Sequence, residues 1–89
     1  MKLEDRYEIP SQAVSREIGD EIVIMDLASG CYFGLETTGA RIWQLLGIGK
    51  SLGEICDAIV EEYDVPRDVI ESDLETLVRD LATRGLIEP

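Results

Sequence analysis

The chain offers little that could carry covalent chemistry. It has 19 aspartate and glutamate residues, two cysteines and no histidine. Without an imidazole, a Ser-His or Cys-His nucleophile is excluded. The carboxylates Glu61, Glu62, Asp68, Glu71, Asp73 and Glu75 fall on polar helix faces, as solvated charges do, and not as a paired acid and base. Cys31 and Cys56 are far apart and lack metal-ligand spacing, so each reads as a reduced, packed thiol. The run Gly47-Ile48-Gly49-Lys50-Ser51 is superficially like a phosphate loop. It lacks the spacing of one and follows a helix instead of a strand. No catalytic residue, cofactor or metal is expected.

Binding is the chemistry left. Residues 31–35, Cys31-Tyr32-Phe33-Gly34-Leu35, read as a short aromatic strand after the turn Ala28-Ser29-Gly30. A glycine inside a strand weakens it and often marks the close approach of another backbone. A strand at the edge of a sheet carries unpaired N–H and C=O groups that can accept a peptide as an added strand. Phe33 and Leu35 share a parity and face the core, with Tyr32 and Gly34 facing the other way. The alternative, that all five are ordinary core and edge residues, stays open at this level.

The surrounding elements must place that edge. Residues 12–18 suggest a first strand, closed by Gly19-Asp20. Residues 21–27 are apolar at both parities, which predicts a central strand covered on much of both faces. Three strands in sequence order make an antiparallel meander with the third at an edge. Thr37 or Thr38 caps a helix reaching about Leu46, apolar around most of its circumference. Ser51 and Glu54 form a capping box for a second helix, striped by Leu52, Ile55, Cys56, Ile59, Val60 and Tyr63. Asp64-Val65-Pro66 opens a third helix, on which Ile70, Leu74, Leu77 and Leu81 form one row flanked by Val69 and Val78. Gly85 sits at the C′ position, where Leu86 can pack back on Leu81. The fold class is α+β: a three-stranded antiparallel sheet followed by three helices, winged-helix-like. Residues 1–10 read as a flexible arm and 11–89 as a single domain.

At 89 residues the chain is one small domain with little volume to spare for a catalytic cavity. Its net charge of −11 works against phosphate backbones and anionic membranes. A basic peptide or a protein partner is electrostatically easier, although acidity also serves solubility alone. A winged helix reading DNA would use the last helix, where Asp68, Glu71, Asp73, Glu75 and Asp80 outnumber Arg67, Arg79 and Arg84. That helix would be repelled by phosphate. The N-terminus has no apolar signal segment, and reduced thiols fit a cytoplasmic protein.

The stretch from Ile22 to Trp43, ending L-E-T-T-G-A-R-I-W, resembles the strand-hairpin-helix core of the PqqD-like peptide-recognition proteins. Their usual pattern is a leucine-asparagine pair, an acidic or polar residue, then T-G-A-x-I-W; here Glu36 stands in place of the asparagine. The segments E-I-C-D-A-I-V-E-E-Y and D-L-E-T-L-V-R-D-L-A-T-R-G-L-I also match, so the resemblance spans about residues 12 to 88. Members of this family, the RiPP recognition elements, bind the leader part of a ribosomally made precursor peptide and deliver it to modifying enzymes.

The resemblance implies that the leader pairs with the third strand and lies against the third helix. On this chain those are Cys31, Tyr32, Phe33, Gly34 and Leu35, with the side of Leu74, Leu77, Val78 and Leu81. Val78 is expected at the rim of the groove, and Asp73 or Asp80 at the margin would meet a basic or hydroxyl group. The block I-M-D-L-A-S-G-C-Y-F-G-L is more similar to the lasso-peptide group. There a leader peptidase and a macrolactam cyclase are the partners. The alternative within the family is a peptide chaperone for pyrroloquinoline quinone synthesis, paired with a radical enzyme.

Overall fold

A computed structural model describes residues 1–89. The strands are β1 (Ala13–Ile18), β2 (Glu21–Asp26) and β3 (Tyr32–Glu36), followed by helices α1 (Thr38–Gly47), α2 (Leu52–Tyr63) and α3 (Arg67–Thr83). The sheet order is β1-β2-β3, both pairs antiparallel. The meander and the edge position of β3 match the expectation. Cys31 falls just outside the third strand, and Leu27 just outside the second.

Strand parity explains the layers. Ala13, Ile22, Ile24 and Leu35 point to the inner face and are buried under the helices. The second face of β2 is only partly covered, since Val23 and Met25 are half-buried. α1 supplies Ala40, Ile42, Trp43, Leu45 and Leu46 to the core, confirming it as the central helix. Two polar contacts tie α1 to β1: Trp43 Nε1 donates to Ser15 Oγ at 3.1 Å, and Gln44 Nε2 to Glu17 Oε1 at 2.8 Å.

The helix boundaries follow local chemistry. Ser51 and Glu54 make the reciprocal capping box, with Ser51 N donating to Glu54 Oε1 at 2.8 Å and Glu54 N to Ser51 Oγ at 3.2 Å. At the end of α3, Gly85 takes φ 74°. Leu86 N donates to Leu81 O at 2.9 Å and Gly85 N to Ala82 O at 3.0 Å, the two bonds of a Schellman motif. The start of α1 differs from expectation. Thr37 occupies the N-cap, but its side chain makes no capping bond, and its backbone sits at φ 48°, ψ −115°. Such a conformation costs about 1–3 kcal/mol for a residue with a Cβ and persists only where its surroundings impose it. Here it turns β3 directly into α1.

Residues 1–10, read above as a flexible arm, run along the helical layer. Leu52 N donates to Asp5 O at 2.9 Å and Gly53 N to Leu3 O at 2.7 Å, so arm carbonyls accept from the first turn of α2. Glu8 and Glu88 form an antiparallel bridge, and Tyr7 and Ile9 pack on the core.

Candidate functional site: the open edge of β3 and the face of α3 beside it

One bond fixes the direction of every backbone group in β3. Asp26 N donates to Cys31 O at 2.9 Å across the hairpin. Antiparallel ladders alternate bonded and non-bonded pairs, and the register pairs Ile24 with Phe33 and Ile22 with Leu35. Phe33 and Leu35 therefore bond to β2. Tyr32, Gly34 and Glu36 turn their N–H and C=O groups outward, where no strand lies. Gly34 itself is extended, and a Cβ added to it would meet nothing within 4 Å. Tyr32, at 66% exposure, stands on the outer sheet face.

The inner side of the same edge faces the C-terminal half of α3. The Arg84 guanidinium lies over the Phe33 ring, 4.6 Å from its centroid, and its Nε donates to Asp80 Oδ1 at 2.9 Å. A cleft of about 220 Å³ opens here, lined by Asp26, Ser29, Cys31, Tyr32, Phe33, Arg84 and Leu86. The Arg84–Phe33 contact also shows which stripe of α3 looks toward β3. Residues three and four apart share a face, so the stripe runs Val69, Asp73, Leu77, Asp80, Arg84.

That stripe corrects the expected groove wall. Val78 was expected at the rim but is core, at 6% exposure. Leu74 and Leu81 are also fully buried, while Leu77, placed above in one row with them, is half-buried. The positions of Leu77 and Val78 are thus exchanged. The cause is the rotation of α3, which centres Ile70, Leu74, Val78 and Leu81 on the core. Leu35 is likewise an inward core residue, as its parity required. Asp73, Leu77 and Asp80 stay on the open stripe. Val69, the other flanking residue, does lie on this stripe; Arg84 was missed, although helical period alone places it in line with Asp73 and Asp80.

The cysteines behave as their surroundings dictate. Cys56 is fully buried, and burial pushes its thiol above the ordinary value. Cys31 is exposed, against the expectation of a packed thiol. No helix is long and apolar enough to cross a membrane. The outer sheet face holds a depression of about 500 Å³ among Val14, Ile18, Val23, Met25 and Tyr32, which neither Phe33 nor Arg84 lines.

A small antiparallel sheet whose β3 edge is unpaired, with a cleft at its hairpin end that the residues closing α3 help to line, defines a peptide-binding type of domain. The family model for coenzyme PQQ synthesis protein D (PqqD) matches residues 21–87, and the chain belongs to that family. Among solved structures it is similar to TbiB1 in complex with the TbiA(beta) leader peptide. The two are 47% identical over 91% of this chain and 94% of that one, with a TM-score of 0.86. It is also similar to a lasso peptide synthetase B1 complexed with the leader peptide, at 28% identity over 96% of this chain and 100% of that one, again with a TM-score of 0.86. No curated protein matches the chain.

Proposed function

We propose that this protein is a recognition element of lasso-peptide biosynthesis. It binds the leader segment of a ribosomally made precursor as a fourth strand on β3 and performs no chemistry itself. The observation that carries this reading is the edge of β3. Three residues, Tyr32, Gly34 and Glu36, present unpaired backbone groups along an edge whose hairpin end opens on the cleft that Phe33 and Arg84 line. Backbone bonds supply affinity in such an addition and side-chain pockets supply selectivity. The close relation to TbiB1 supports a leader peptide as the ligand. The absence of histidine supports a non-catalytic role, with the bound precursor handed to a leader peptidase and a macrolactam cyclase in the cytoplasm.

The PqqD family name also admits pyrroloquinoline quinone synthesis. The two structural relatives favour the lasso setting. Isothermal titration with the TbiA(beta) leader peptide tests the reading. Saturable 1:1 binding is expected; no binding, with turnover of a substrate by this chain alone, would overturn it.

A further inference from the structure

Arg84 is held in place yet keeps free donors. One face of its guanidinium lies against Phe33, and its Nε edge is occupied by Asp80. Neither terminal nitrogen has a protein partner. Arg6, Arg41, Arg67 and Arg79 each spend at least one terminal nitrogen on a neighbour, and Arg16, which also has no partner, lies on β1 away from this cleft. Arg84 is also the one cation in the wall of the cleft at the hairpin end of β3. Its surroundings are acidic: Asp26 lies in the same wall, Glu36 at the far end of the strand, and Asp73 and Asp80 along α3.

We propose that Arg84 is a specificity-determining residue, whose free terminal N–H groups take the carboxylate of an aspartate or glutamate in the peptide strand paired with β3. The inference rests on the peptide-binding reading above and goes beyond it by naming a side chain of the ligand. A strand added to β3 turns alternate side chains to the inner side, toward Arg84. A guanidinium offers a carboxylate two parallel bonds, and a group already fixed by packing loses less freedom in making them. The acidic surroundings sharpen the selection. In other registers a peptide carboxylate would meet Asp26, Glu36 or Asp73 and be repelled. The pair with Arg84 thus sets the register of a strand that backbone bonds alone would let slip.

The test is titration of the full chain and of Arg84→Gln and Arg84→Lys with the TbiA(beta) leader peptide. A matching peptide series replaces each aspartate by asparagine and each glutamate by glutamine. Arg84 is exposed, so the variants should keep the wild-type circular dichroism spectrum. Arg84→Gln is expected to weaken binding about ten-fold, with partial recovery in Arg84→Lys. One amide-substituted peptide should lose about as much with the wild-type chain and almost nothing further with Arg84→Gln, the signature of a coupled pair. Wild-type affinity in Arg84→Gln overturns the inference. So does a loss that adds to that of every amide-substituted peptide, which would mean that Arg84 only packs or stacks. Failure of the wild-type chain to bind the leader overturns this inference together with the peptide-binding reading. Binding that Gly34→Pro abolishes and Arg84→Gln leaves intact overturns this inference alone.

Discussion

Asp26 and Cys31 are joined by a 2.9 Å backbone bond across the β2–β3 hairpin, and that bond sets the two sides of β3 apart. Gly34 turns its N–H to the open edge, while its neighbour Leu35 turns its N–H to β2. Proline at these adjacent positions should therefore act differently. Gly34→Pro removes a donor that the folded chain does not use, so the fold should survive while leader affinity falls at least ten-fold. Leu35→Pro removes a ladder bond and a buried side chain and should destabilise by about 3 kcal/mol or more. Thermal melting followed by titration separates the two. Normal binding by a folded Gly34→Pro variant would place the site elsewhere.

Leu77 and Val78 form a second contrasting pair. Val78 is buried among the helices, so Val78→Glu places an unpaired charge in the core and should cost about 3 kcal/mol or more. Leu77 lies on the half-open stripe beside β3. Leu77→Glu should keep most of the stability and weaken leader binding. Urea unfolding of both variants checks the pair; equal loss of stability in the two would contradict a rotation of α3 that buries Val78 and opens Leu77.

We propose that the N-terminal arm is a structural clasp. Arg6 donates to Gly49 O at 2.6 Å and pairs with Glu54 at 3.1 Å, while Leu3 and Asp5 carbonyls accept from α2. Removal of residues 1–8 should lower the unfolding free energy by about 2 kcal/mol or more, from lost backbone bonds and uncovered core surface. Chemical denaturation of the truncated chain measures it, and unchanged stability would show the arm to be a passive tail.

Acid should loosen the start of α2. The Ser51 backbone N–H, and after it the Ser51 hydroxyl, holds the Glu54 carboxyl below the usual carboxylate range, with Arg6 and Lys50 adding to the effect. The folded state thus favours the ionised form more than the unfolded state does. Its contribution is complete above the unfolded carboxylate value and is lost as pH falls through the lower folded value. Stability measured against pH should show this acid limb, and Glu54→Gln should flatten it. An unchanged limb in the variant would assign the effect to other carboxylates.

The parts of the molecule that rest on periodicity and turn chemistry were legible in the chain. The meander, the capping box at Ser51 and Glu54, and the Schellman end at Gly85 all follow from local residue types. What was not legible came from packing. The rotation of α3 about its axis depends on how it meets α2, and a broad apolar face leaves Leu77 and Val78 interchangeable on the sequence alone. The role of Thr37 was also hidden, because a capping threonine and a threonine forced into a strained corner look the same in a sequence. Arg84 was overlooked because its meaning comes from Phe33, which lies on another element.

Amide hydrogen exchange across β3, with and without the TbiA(beta) leader peptide, addresses strand addition residue by residue. In the free protein the amides of Phe33 and Leu35 should be protected by β2, and those of Tyr32, Gly34 and Glu36 should exchange quickly. On saturation with the leader, protection should appear at Tyr32, Gly34 and Glu36, with little change at Phe33 and Leu35. A leader that binds tightly and leaves those three amides unprotected would contradict the addition of a strand to β3.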